Sequence, residues 1–469
     1  MDILINVALI AIIVALFNLI IFVHELGHFL AARWRGLQVD RFQIWFGKPI
    51  WKKEHNGVQY GLGWLPFGGF VALPQMAPME SIEGENLGED GKPLPKVKPL
   101  DKIIVALAGP IFSMLLALAA AVTISFVGKP RDFVETTEIG FVAKDSPAHK
   151  AGLLVGDEIL KINGEEVDGF LGSLDSVQER IMLSKGNEIE FVVNRPGEAQ
   201  PLTLISKFDI KETRWWQRSG LRRVGIWVPN TAIIHAVQED SPAERAGLEP
   251  GDIITKVNGE TLTNFSQFMS VTSQSPNIPV ALEVERDGKS VPLTITPLIP
   301  TNNPKKDAKV GAVFGNGGEV DVKLVKPSPL EQVGDSVRMM WVTITSVLAK
   351  DSSIGAEHLA GPVGIGSVMF DLLLSENGWR RLITFLVLFN VNLAILNMLP
   401  LPVLDGGHVV LSLGEMVAGR PVKAKILEVV QTAFAMVLLC FFLYITSKDI
   451  GDKIRPKSPS KWIFPEQSA

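Results

Sequence analysis

Cysteine is almost absent. Cys440 is the only one in 469 residues and lies in an apolar stretch, so no internal disulfide can form. Long basic runs are missing too. The 45 Lys and Arg against 50 Asp and Glu give a formal net charge of -5, spread along the chain, which removes the electrostatic footprint of a nucleic-acid partner. A basic N-terminal region and a small-residue cleavage site are lacking as well. The chain starts Met1-Asp2-Ile3 and runs into His24-Glu25, so its first apolar stretch is expected to be retained rather than removed as a signal peptide.

What is abundant is apolar sequence. With 47% hydrophobic residues and a mean hydropathy of +0.25, part of the chain is expected in lipid. Four runs are each long enough to cross a hydrocarbon core of roughly 30 Å as a helix: Ile3 to Val23, Ile103 to Val127, Leu382 to Leu401 and Val429 to Thr446. Ser336 to Ala349 is shorter and carries Arg338, which predicts an amphipathic interfacial helix.

A repeat fills the long polar region between the second and third runs. Asp145-Ser146-Pro147-Ala148, Ala151-Gly152-Leu153, Gly156-Asp157 and Asn163-Gly164-Glu165 recur from Asp240 to Glu260 with about two-thirds identity. In each copy Ser-Pro opens a short helix, Ala-Gly-Leu closes it, Gly-Asp starts a strand and Asn-Gly makes a tight turn. This pattern resembles the PDZ domain. Val224-Gly225-Ile226 and Val310-Gly311-Ala312 follow the two copies. In circularly permuted bacterial PDZ domains such a strand supplies the carboxylate-binding loop, which would make Gly225, Ile226, Gly311 and Ala312 ligand-loop residues; an ordinary core strand is the other reading.

The chemistry is concentrated in His24-Glu25-Leu26-Gly27-His28, at the end of the first run. Histidines four apart share one helix face and can reach one Zn2+, with Glu25 beside them to handle a water proton. Such a zinc lowers the pKa of its water toward about 7 and polarises a scissile carbonyl. Catalytic zinc commonly takes two histidines and a carboxylate, and Asp405 is the candidate. It sits in Asn397-Met398-Leu399-Pro400-Leu401-Pro402-Val403-Leu404-Asp405-Gly406-Gly407, where prolines break the helix and glycines free the backbone. With four spans, the His24 motif and Asp405 fall on the same side of the bilayer. The segment after the first span carries Arg33, Arg35, Arg41, Lys48, Lys52 and Lys53, which predicts a cytoplasmic side there. The tail (Lys448, Lys453, Arg455, Lys457, Lys461) argues the other way.

Together these residues resemble the site-2 protease family of intramembrane zinc metalloproteases, with its His-Glu-x-x-His helix and later Leu-Asp-Gly. The tandem PDZ modules narrow the resemblance to the RseP type of Gram-negative bacteria. Phe46-Gly47-Lys48, Leu65-Pro66-Phe67-Gly68-Gly69-Phe70 and Ala108-Gly109-Pro110 belong to it. The resemblance implies His24, His28 and Asp405 as ligands of one Zn2+, Glu25 as acid/base, and periplasmic PDZ domains on a multi-pass inner-membrane protein. It also implies transmembrane substrates, among them an anti-sigma factor already trimmed by another protease, and remnant signal peptides. In the family an Asn often stands three residues after Ala-Gly-Pro; here that position is Ser113.

Gly57 to Leu73 reads as a β-hairpin, and the resemblance suggests that it re-enters the membrane beside the zinc, with Gly68 and Gly69 facing substrate. Asn397 is expected to hold a freed substrate backbone group, or to cap a helix end, with Pro400 and Pro402 shaping the loop. His408 is read as a second-layer or interfacial residue, and His55, His149, His235 and His358 as solvated. The expected fold is a multi-span α-helical membrane protein with two permuted α+β PDZ domains. Its parts are an N-terminal membrane core (1–128), the PDZ modules (129–229 and 230–318), a linker with an amphipathic helix (319–380), a C-terminal membrane core (381–450) and a tail (451–469). A non-catalytic PDZ scaffold and a transporter are the competing readings. Glu25 speaks against the first, since a structural metal needs no acid/base beside it, and the absence of inverted repeats among the spans against the second.

Overall fold

The computed structural model describes residues 3–76, 97–230, 232–316, 322–419, 424–454 and 461–465. Of the basic tail residues, Arg455 and Lys457 lie outside that set. The chain forms two compact units: Met1–Pro130 with Leu324–Ile344 and Leu359–Ile450, and Arg131–Lys323 with Thr345–His358 and Gly451–Ala469.

The first unit is built on long apolar helices. Among the described residues four are long and apolar enough to cross a membrane: Ile3–Arg35, Pro99–Val127, Gly378–Asn397 and Ile426–Lys453. The first continues well past Val23, so the His24 motif lies inside a helix rather than at its end. Close packing of the first two helices depends on Gly27, where a Cβ would come within 2.4 Å of the Ala108 carbonyl oxygen. Arg35 pairs with Asp101 at 2.6 Å near the start of the second helix, and Lys102 reaches Glu415 at 2.8 Å. Pro329–Leu348 is a 20-residue amphipathic helix that starts earlier than the sequence suggested. Pro362–Leu374, a shorter apolar helix, was not anticipated.

The hairpin expected over 57–73 does not form as such: its two halves pair with the preceding strand and not with each other. Strand Arg41–His55 pairs with strand Val58–Ala72 in two registers at once. Phe42 faces both Tyr60 and Val71, and Gln43 faces both Gly61 and Phe70. The two halves of 57–73 therefore flank residues 41–44 on opposite sides, and Gly69 to Ala72 form a sheet edge. The sequence reading missed residues 41–55 because Lys48, Lys52, Lys53 and Glu54 obscure the apolar alternation there.

The second unit holds two copies of one module, each built as the repeat predicts. Ser146 Oγ accepts from the His149 amide and Ser241 Oγ from the Glu244 amide, both at 3.2 Å, capping helices that start at Pro147 and Pro242. Asn163 (φ 51) with Gly164 (φ 81), and Asn258 (φ 49) with Gly259 (φ 84), make the left-handed two-residue turns that Asn-Gly favours. Each Gly-Asp buries its carboxylate against an arginine that the sequence did not single out. Arg195 Nε donates to Asp157 Oδ1 and Arg286 Nε to Asp252 Oδ1, both at 2.7 Å. Burial alone would raise the Asp252 carboxyl, but the hydrogen bonds from Arg286 and the Glu249 amide hold it below the usual carboxylate range. Phe191 closes one core and Phe268 the other. His358, read as solvated, is instead mostly buried: its Nδ1 accepts from Gly355 N and its Nε2 donates to Ser219 O, each at 3.0 Å.

Candidate metal centre and active site

Helical spacing stacks His24 and His28 on one face, and the second helix fixes both rings. His28 Nδ1 lies 2.8 Å from the Val105 carbonyl. A carbonyl only accepts, so the proton sits on Nδ1 and the neutral ring presents the Nε2 lone pair inward. His24 Nδ1 meets Ser113 Oγ at 2.9 Å in a fully buried contact that orients the second ring the same way. Ser113 thus stands behind a candidate ligand, a role its sequence position alone did not define. Gly109 leaves room for the pair: a Cβ there would lie 2.2 Å from His28 Nε2 and 2.9 Å from His24 Cε1.

Asp405 comes from the other end of the chain. The third long helix stops at Asn397, and Asp405 opens helix Asp405–Ala418. A Cβ at Gly406 would lie 2.3 Å from the Met398 carbonyl oxygen and one at Gly407 2.1 Å from that of Leu401, so this loop closes only over glycine.

His24, His28 and Asp405 bring three ligand atoms within 4.8 Å of one another. His24 Nε2 lies 3.3 Å from His28 Nε2, and Asp405 oxygens lie 3.2 Å and 3.4 Å from the two rings. Tetrahedral zinc with bonds of about 2.0–2.2 Å separates its ligands by roughly 3.3–3.6 Å, so these distances are close to three corners of such a site. Asp405 Oδ2 is buried without a hydrogen bond. Two inward lone pairs and an unsatisfied carboxylate oxygen are what a bound cation would satisfy, and the residues fit zinc.

These residues line a cavity of about 890 Å3. Glu25, Gly68, Gly69, Asn397 and His408 also face it, whereas Pro400 and Pro402 are not among its lining residues. A Cβ at Gly69 would approach Glu25 Cγ to 3.2 Å, so the sheet edge runs directly beside the glutamate. Glu428, Gln431 and Thr432 of the last long helix line the same cavity, and Gln431 Nε2 donates to Pro402 O at 3.0 Å. Sequence reasoning missed them, although polar residues at i, i+3 and i+4 in an apolar helix are the signal that finds such a face. In the second unit, Gly225 (φ 89) and Gly311 (φ 76) take left-handed conformations, each packed against the capping serine of its module. Ile226 pairs with Val142, and Ala312 with Val237.

Comparison with known proteins agrees with this chemistry. Residues 11–441 match Peptidase family M50. A Salmonella typhimurium chain named regulator of sigma-E protease RseP is 30% identical over 441 residues, covering 89% of this chain and 92% of its own. The Escherichia coli K12 protein of that name is 30% identical over 432 residues, 87% of this chain and 91% of its own. A Vibrio cholerae chain described as a zinc metalloprotease is 30% identical over 440 residues, 89% and 93% of the two chains. Among solved structures, the PDZ domain of an SdrC-like protein from Listeria monocytogenes is 19% identical over 18% of this chain and 87% of its own, with a TM-score of 0.17. The match across nearly the whole chain, joined to the convergent histidines and carboxylate, means that the chain belongs to peptidase family M50 and is a zinc metalloprotease.

Proposed function

We propose that this protease cuts peptide bonds within the transmembrane segments of single-span membrane proteins, with His24, His28 and Asp405 holding one Zn2+ and Glu25 acting as acid/base. The observation that carries this reading is that the three donor atoms and Glu25 line one cavity among apolar helices, beside an open sheet edge. When bound, zinc would supply an acidified water and a polarised carbonyl. Glu25 then accepts the water proton and returns it to the leaving amine. Val105 O keeps the His28 proton on Nδ1, and Ser113 Oγ orients the His24 ring.

A substrate helix hides its peptide bonds in its own hydrogen bonds, so cutting requires a locally extended stretch. The edge at Gly69 to Ala72 can take such a stretch by main-chain pairing, with Asn397 across the cavity to hold a freed backbone group and Pro400 and Pro402 stiffening the loop that carries Asp405. The protein is a bacterial inner-membrane protein. The basic residues after the first span favour an active site toward the cytoplasm and periplasmic PDZ modules at 129–229 and 230–318. Those modules would exclude untrimmed substrates and receive new C-termini at Gly225-Ile226 and Gly311-Ala312. The names of the Salmonella and Escherichia relatives favour an anti-sigma factor, trimmed first by another protease, as substrate; remnant signal peptides are a second class.

The test compares wild type with Glu25→Gln on single-span substrates in detergent and in cells. Glu25→Gln should keep its zinc and lose cleavage. Retained cleavage would remove Glu25 from the chemistry, and a PDZ scaffold without proteolysis would show none in either protein.

A further inference from the structure

Residues 461–465 lie against the second PDZ module. Gln238 Nε2 donates to Trp462 O and Trp462 N donates back to Gln238 Oε1, both at 2.8 Å. Thr301 N donates to Ile463 O at 2.8 Å, and Ile463 N donates to Asn302 Oδ1 at 3.0 Å. Asn302 Nδ2 donates to Lys461 O at 2.9 Å. The Lys309 ammonium sits 5.9 Å from the centroid of the Trp462 ring. Phe464 reaches the Gly311 loop: a Cβ at 311 would meet its ring at 3.0 Å as well as Ser241.

The first module lacks the glutamine that pairs with this segment. Its Gly225 has the same positive φ and the same serine neighbour, Ser146, yet the position equivalent to Gln238 is Ala143. Ala143 N donates to Gly225 O just as Gln238 N donates to Gly311 O, but the alanine side chain has no group to pair with a passing backbone. Residues 466–469 follow Pro465, so the seat recognises the main chain of an internal segment rather than a terminal carboxylate. The segment also lies beyond residues 11–441, the part matched to the family.

We propose that residues 461–465 are an intramolecular ligand of the second PDZ module, held by Gln238, Thr301 and Asn302 and covering the Gly311 loop, so that peptide C-termini reach the first module and not the second until the tail is displaced. The statement about C-termini rests on the carboxylate-loop reading of Gly225 and Gly311 given above; the docking of the tail does not.

Four proteins in detergent test it: the full chain, two variants of it (a chain ending at residue 460, and the full chain with Gln238→Ala and Asn302→Ala), and, for peptide binding alone, the chain ending at residue 460 with Gln238→Ala. Hydrogen exchange at the Thr301 amide should quicken at least about tenfold in both variants, and an unchanged rate on truncation overturns the docking. A fluorescent peptide of residues 461–469 should bind the truncated chain saturably and about tenfold more weakly after Gln238→Ala. No saturable binding, or no effect of Gln238→Ala, also overturns it. A peptide with an apolar free C-terminus should occupy two sites on the truncated chain and one on the full chain. Equal stoichiometry overturns the covering of Gly311. If that peptide binds neither chain, the carboxylate-loop reading fails and takes the covering with it, while the exchange rate still decides the docking.

Discussion

Ser113→Ala isolates what holds a candidate zinc ligand without touching the ligand. The substitution removes the hydroxyl 2.9 Å from His24 Nδ1, and Ser113 is 0% exposed, so water does not readily replace it. A buried imidazole N–H left without an acceptor costs about 1–3 kcal/mol. The ring recovers part of that by turning, but turning takes Nε2 off its line to His28 Nε2 and Asp405. About 1.4–2.8 kcal/mol of lost metal affinity is a factor of about 10–100, the range usual for partners of metal-bound histidine. Competition against a chromophoric chelator, with the protein in detergent, reads the affinity directly, and a melting curve of the zinc-saturated protein separates it from misfolding. At limiting zinc the variant should lose cleavage, and saturating zinc should restore much of it. If Ser113→Ala bound zinc within about twofold of wild type and cleaved at the wild-type rate, Ser113 would not orient the ligand.

Gly109→Ala should abolish zinc binding in elemental analysis, because the added methyl falls 2.2 Å from His28 Nε2 and 2.9 Å from His24 Cε1, so both rings would have to leave their ligand positions; a variant holding one zinc per chain would contradict the packing. Gly69→Ala should slow turnover several-fold with zinc retained, since its methyl sits 3.2 Å from Glu25 Cγ and 2.9 Å from Ile21 Cγ2. Asp252 is held below its unfolded value of about 3.9, so its contribution to the second module is present above about pH 4 and fades as pH falls through the lower folded value. Asp252→Asn should therefore cost about 2 kcal/mol at pH 7 and little in strong acid, read by hydrogen exchange across Ile253–Val257 after correction for intrinsic rates. Replacing helix-breaking residues in a substrate span with Leu or Ala should protect it, by about 1 kcal/mol of unwinding cost per glycine replaced; equal cleavage rates would mean that unwinding is not the barrier.

The sequence determined the parts that obey local rules. Apolar runs of sufficient length became four long helices, and His24 and His28 share a face because a helix turns once in about 3.6 residues. The repeat became two modules because Ser-Pro caps, Gly-Asp and Asn-Gly turns act within a few residues. Asp405 was legible through its Pro and Gly neighbours together with the parity of the spans. Tertiary structure decided what depends on contacts between distant segments. Ser113 reads as one more small residue in an apolar helix until the second helix is laid against the first and its hydroxyl meets His24. Glu428, Gln431 and Thr432 acquire meaning only when the last helix borders the cavity. Residues 57–73 pattern as a hairpin alone, yet both halves pair with residues 41–44, because a strand of alternating small and apolar residues does not specify its partner. The seat for residues 461–465 is likewise silent in sequence, since Gln238, Thr301 and Asn302 recognise a backbone, and a backbone carries no signature in the order of its side chains.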